Sequence, residues 1–197
     1  MENMKELAES LHLNHYLRPD DIPDLNLYMD QVIQLFERQF DNTTRYPDDK
    51  VLTKTMINNY AKGKLFFPVE NKKYTKEHLL LISMIYQMKG ALSISDVKTA
   101  LNQLNYKVTD EGFDLQQFYE QYLQLLDDNV NKFSEAIQDQ QQEVSQTLDK
   151  AEGPDRAYLE QLLLIAVFTA MSNYYRRAAE KLVDDLATDM SNLKEGR

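Results

Sequence analysis

The stretch Val51–Thr75, VLTKTMINNYAKGKLFFPVENKKYT, decides how the rest of the chain is read. Thr53 is of the type that caps a helix N-terminus, its hydroxyl accepting from an orphan backbone N–H. After it, Met56, Ile57 and Tyr60 recur at the spacing that lines up one edge of a short helix. The other edge carries Lys54, Thr55, Asn58, Asn59 and Lys62. Gly63 reads as the C-terminal stop. Leu65-Phe66-Phe67-Pro68 is then an apolar run, Glu70-Asn71-Lys72-Lys73 a polar turn and Tyr74 an aromatic, which together predict a small β-hairpin. A short polar helix beside a lysine-tipped hairpin is the layout of a winged helix.

Charge separates this stretch from its surroundings. From Arg45 to Glu77, eight cations (Arg45, Lys50, Lys54, Lys62, Lys64, Lys72, Lys73, Lys76) meet four carboxylates (Asp48, Asp49, Glu70, Glu77), a surplus of four in a chain of net charge −10. A uniformly acidic surface repels nucleic acid, so a DNA reader of this composition needs such a basic patch. Asparagine amides bond adenine edges, and Lys and Thr bond phosphate. The expected contacts are therefore Lys54, Thr55, Asn58, Asn59 and Lys62 in a major groove, with Lys64, Lys72 and Lys73 on phosphate. A solvated lysine-rich surface has the same charge count.

Upstream, Pro23-Asp24 reads as the opening of a helix whose Leu25, Tyr28, Val32, Leu35, Phe36 and Phe40 recur every three or four residues. Asp41–Lys50 is polar and reads as a loop broken by Pro47. Downstream, Thr75 with Glu77 and His78 starts a helix with Leu79, Ile82, Ile85, Tyr86 and Met88 inward, stopping at Gly90. Ser93 opens another, with Ile94, Val97 and Leu101 on one side and Asp96 in the first turn, where the macrodipole favours an anion.

Ile57, Tyr60, Leu65 and Pro68, then Lys73-Tyr74-Thr75, then Leu79, Ile82, Ile85, Gly90, Ser93, Val97, Lys98 and Leu101 resemble the DNA-binding domain of MerR-type regulators. There the recognition helix ends in a Tyr, a Leu and a Pro open the wing, a basic-x-Tyr closes it, and a Gly-x-x-Ser turn separates two further helices. More closely, VLTKTMINNYAKGKLFFP, KKYTKEHLLLISMIYQMKG and LSISDVKTAL resemble a bacterial family catalogued as domain of unknown function eighteen-thirty-six. The resemblance spans roughly Ile22 to Leu104 and implies a dimeric DNA-binding regulator. This chain has Asn58 where the MerR recognition helix commonly has Arg, and it lacks the Cys ligands of metal-sensing members.

The last third reads as two long helices. Leu115, Tyr119, Tyr122, then Leu126, Val130, Phe133, then Ile137, Gln141, Val144, then Leu148 repeat every eleven residues. That period slightly exceeds the helical one, so the stripe stays nearly straight or coils gently right-handed along a helix of about 50 Å. Gly153-Pro154 breaks the chain, and a second helix is expected from Asp155 to about Met190. It is apolar nearly all round from Leu159 to Met171, so it must be covered on several sides. The expectation is a hairpin of Leu115–Leu148 against Tyr158–Met190 whose remaining apolar face makes a homodimer, the alternative being a monomeric bundle closed on the first region.

The fold class expected is mostly α: a MerR-like winged helix-turn-helix with a small β wing, followed by two long antiparallel helices. Its parts are an N-terminal segment (1–20), the DNA-binding domain (21–104) and a helical dimerisation or sensing module (112–192). Five Gly and five Pro among 197 residues argue against a β-sandwich or a disordered chain. No Cys is present, which excludes disulfides and thiolate metal sites. Met1–Ser10 is too charged for a secretory leader. The run Leu162–Met171 covers only ~15 Å as helix, against roughly 30 Å of bilayer core. These features predict a soluble, cytoplasmic protein with no membrane partner.

Nothing in the chain predicts an enzyme. His12 and His15 are three apart with no third ligand spaced to join them, so no metal is expected. Adjacent carboxylates such as Asp127-Asp128 and Asp184-Asp185 diverge on a helix, and no nucleotide or nucleophile motif is present, so no cofactor is expected. Tyr174-Tyr175-Arg176-Arg177 is a candidate effector pocket, or equally helix packing with Arg–carboxylate pairs. The alternative to a DNA reader is a protein-interaction adaptor using the same helical module.

Overall fold

The computed structural model describes residues 4–148 and 155–195. The break expected at Gly153-Pro154 lies outside them. The protein is mostly helical, with one small two-stranded sheet. In chain order the elements are α1 (Met4–Ser10), β1 (Leu27–Tyr28), α2 (Met29–Phe40), α3 (Lys54–Gly63), β2 (Lys73–Tyr74), α4 (Lys76–Met88), α5 (Ile94–Asp110), α6 (Leu115–Thr147) and α7 (Asp155–Glu195). No helix among the described residues is long and apolar enough to cross a membrane.

The described residues fall into two compact units, one of His15–Gln124 with Ala179–Arg197, the other of Met1–Asn14 with Leu125–Ala178. The first is built around α4, in which every residue from His78 to Ile85 is buried. The sequence reading gave this helix a single inner face; it is covered all round because Leu80, Leu81 and Met84 fill the sides between the expected positions. Val32, Leu35, Phe36 and Phe40 of α2, Ile57 and Tyr60 of α3, and Val97 and Leu101 of α5 are buried around it. Tyr119, in the second turn of α6, is buried too. Its hydroxyl donates to the Leu17 carbonyl (2.9 Å) and accepts from the Ser83 hydroxyl (2.8 Å). Burial and the neighbouring Tyr122 hold that phenol far above its ordinary titration range.

Three local expectations fail here. Pro23-Asp24 does not open the first helix: α2 starts at Met29, and Leu27–Tyr28 is spent on β1, leaving Leu25 exposed. β1 pairs antiparallel with β2, Leu27 opposite Tyr74 and Tyr28 opposite Lys73. The apolar run 65–67 is therefore not the partner of Tyr74; Leu65 and Phe66 go into the core instead. Finally, Ile94 is exposed, because α5 begins there and only Val97 and Leu101 have turned inward.

In the second unit the eleven-residue stripe sets the packing. Ile137 and Val144 of α6 meet Leu164 of α7 and Met4 and Ala8 of α1 in one buried cluster, edged by Leu148, Leu163 and Phe168. The two long helices run antiparallel here. Near their shared end, Arg156 donates to Glu160 Oε1 (3.1 Å) and to the Ser145 carbonyl (3.1 Å), and Ser145 donates to Glu160 (3.1 Å). The stretch of α1 is charged and gives no apolar period; Met4 and Ala8 are buried in the cluster and Leu7 packs at its edge. His12 and His15 follow α1, with His12 in the left-handed region, so they do not share a helical turn.

Candidate nucleic-acid interface

Thr53 caps α3 as expected, its hydroxyl accepting from the Met56 N–H (3.2 Å). Ile57 and Tyr60 are buried and fix the inner side of the helix. At about 100° per residue, Lys54, Thr55, Asn58, Asn59 and Lys62 then fan over an arc of about 140° on the far side. All five are exposed. The helix ends differently from the expectation. Gly63 is its last residue, and the left-handed C-cap is Lys64 (φ 58°), whose N–H bonds the Ala61 carbonyl (3.0 Å). Gly63 is small for a packing reason: a Cβ there would lie 2.7 Å from Leu65 Cδ1.

Leu65 is held from two directions. Its N–H bonds the Tyr60 carbonyl (3.0 Å), and its carbonyl accepts from Asn105 Nδ2 of α5 (2.9 Å). Beyond it Phe66, Phe67 and Tyr74 gather around His78, with ring centroids 5.8, 3.9 and 5.9 Å from the imidazole. The Thr75 N–H donates to His78 Nδ1 (3.1 Å), which puts the proton on Nε2, and that N–H donates to the Phe67 carbonyl (3.2 Å). Burial lowers the His78 pKa, against the opposing pull of the Phe67 carbonyl. A neutral histidine thus ties the start of α4 to the segment after α3.

The chain between them reverses at Glu70–Lys73. The Lys73 N–H bonds the Glu70 carbonyl (2.9 Å), and Asn71 and Lys72 both have positive φ (50° and 59°), as a tight two-residue hairpin turn requires. The expected turn is present, but its second leg pairs with β1. Lys64 and Lys72 are exposed. Lys73 is half-buried, with Nζ 5.4 Å from the centre of the Tyr28 ring. The helical period of Leu25–Phe40 makes Tyr28 a core position of the first helix. On a strand its side chain turns outward instead, beside the lysine. Lys54 forms an ion pair with Asp30 of α2 (2.7 Å), both largely exposed.

The second candidate set is not brought together. Tyr174, Tyr175, Arg176 and Arg177 are consecutive on α7, where successive side chains point about 100° apart, and all four are exposed. Arg176 reaches Asn173 (3.4 Å), and Tyr175 alone lines a hollow shared with α6.

The family described as Domain of unknown function (DUF1836) matches residues 17–122, more than half of the chain. The chain belongs to the DUF1836 family. In this DUF1836 protein the match takes in β1, α2, α3, β2, α4, α5 and the first turns of α6, and with them every residue of the α3 arc and of the turn at 70–73. Most of α6 and all of α7 lie beyond it. No curated protein and no solved structure matches the chain significantly.

Proposed function

We propose that this DUF1836 protein is a sequence-specific, DNA-binding transcriptional regulator with a MerR-like winged helix that acts as a homodimer. The observation that carries the reading is the exposed arc of α3, which presents two amides, a hydroxyl and two ammonium groups opposite a buried apolar edge, in the one basic stretch of an acidic chain. Asn58 and Asn59 read base edges from the major groove. Lys54 and Lys62 flank them, and Lys64, Lys72 and Lys73 hold phosphate on either side. The turn at 70–73, braced by β1 and by the aromatic cluster at His78, serves as the wing. Self-association is supported by Tyr158, Leu162 and Ile165, which stand exposed in a row at four- and three-residue spacing on α7. Paired long helices would set the half-site spacing.

The test is selection of bound sequences from randomised duplex DNA, followed by titration of the selected site against salt. Asn58→Ala is expected to relax preference at one base step by ~1–3 kcal/mol. Lys73→Ala is expected to weaken all sequences alike and to lower the salt slope by about 1. If both variants bind the selected site as tightly as the parent, the α3 face is not the reading surface. If selection enriches no sequence, the adaptor reading takes its place.

A further inference from the structure

In the unit of Leu125–Ala178 and Met1–Asn14, α6 and α7 pack through Ile137, Val144 and Leu164, with Phe168 at the edge of that cluster, and beside it lies a hollow of about 500 Å³. Ala136 is the smallest side chain lining it, between Phe133 and Gln140 on α6. Buried Ile137 forms its floor, and Phe133, Phe168 and Met171 form its walls. This size lies within the range of small-molecule sites, roughly 300–1,000 Å³, and is far less than a helix would need. The walls are of the adaptable kind: aromatic rings offer faces and edges, and methionine refits around a ligand.

The polar groups of the hollow are asymmetric. Asn129 and Lys132 sit three residues apart, hence adjacent, on α6, and no carboxylate lines the space. Lys132 forms no ion pair among the described residues. An open, mostly apolar hollow whose other polar groups are the neutral Gln140 and Tyr175, with one ammonium group and no acid in its lining, favours a negative ligand with an apolar body.

We propose that this hollow binds a small amphipathic monoanion, an aromatic or branched aliphatic carboxylate, with its hydrocarbon against Phe133, Phe168 and Met171 and its carboxylate at Lys132 and Asn129. The site stands on the geometry of its own unit and does not depend on the DNA reading.

Isothermal titration of the full chain with naphthoate, naphthylmethanol and naphthylmethylammonium tests it without DNA, so failure here and failure of the DNA reading are separate results. Naphthoate is expected to bind once per chain, about ten-fold more tightly than the ammonium analogue. Lys132→Gln, an exposed change, is expected to cost naphthoate about five- to ten-fold and to leave the alcohol unchanged. Ala136→Trp, which fills the space, is expected to abolish all binding while thermal unfolding stays cooperative. Equal affinities for the three probes, naphthoate affinity unaltered by Lys132→Gln, or binding that survives Ala136→Trp overturns the proposal. So does sedimentation showing that Ala136→Trp converts a dimer to monomers, because a second copy would then occupy the hollow.

Discussion

His78 joins three interactions that the fold of the basic stretch depends on: the first turn of α4, the Phe67 carbonyl and the ring cluster of Phe66, Phe67 and Tyr74. The first of these requires the neutral imidazole, because Nδ1 must accept from the Thr75 N–H. Its pKa in the folded protein is lowered by burial, so the unfolded chain takes up the proton first as pH falls. Stability is then fully present above the unfolded value of about 6.5 and declines as pH drops below it. Urea unfolding of the parent between about pH 5 and pH 7 is expected to show this loss. His78→Gln keeps an acceptor at the third helical position, as a capping box does, and should flatten the slope. An unchanged slope in that variant would assign the acid sensitivity to another group. From the sequence, His78 was legible as part of a helix start, but its stacking was not, since the rings it meets come from a run read as a strand.

Helix boundaries show what local pattern does and does not carry. The caps at Thr53 and Ser93 were legible because each bonds a backbone N–H three residues on, a purely local matter. The eleven-residue stripe was legible for the same reason, and Leu115, Tyr119, Ile137 and Val144 are buried along it. What stayed hidden depended on distant partners: Tyr28 fits a helical period but, with Leu27, is claimed by Lys73 and Tyr74. The end of α3 is a sharper case. A glycine within a helix ordinarily gains stability, about 0.5–1 kcal/mol, on replacement by alanine. At Gly63 the sign should reverse, because the new methyl would meet the buried Leu65 side chain. A loss of about 1–2 kcal/mol in chemical denaturation is expected for Gly63→Ala, and a gain would mean that Leu65 repacks freely.

For the molecule as a whole, the two proposed sites belong to different compact units, the α3 arc to one and the hollow to the other. The α3 arc was legible because polarity and helical period agree over five residues. The hollow was not, because it arises from helices whose facing residues are about 35 apart in sequence and from one small side chain, Ala136. The apolar row on α7 bears on assembly. Under the dimer reading, Leu162→Glu with Ile165→Glu should give a monomer by sedimentation equilibrium with helical content intact. Those variants should also lose most of their affinity for a two-half-site operator, since each half would bind alone. A double variant that still dimerises would move the contact to another face.

The contact between Lys54 and Asp30 has one more consequence. A carboxylate held 2.7 Å from an ammonium group at the edge of α3 sits where a phosphate would under the DNA reading. Under the DNA reading, a duplex docking there must displace this built-in rival, and the pair would brake indiscriminate adhesion to nucleic acid. Asp30→Asn should release it, tightening binding to unrelated duplexes more than to the selected operator, so that selectivity narrows while overall affinity rises. A filter-binding comparison of the two DNA pools measures the difference, and equal tightening of both pools would mean the brake does not discriminate.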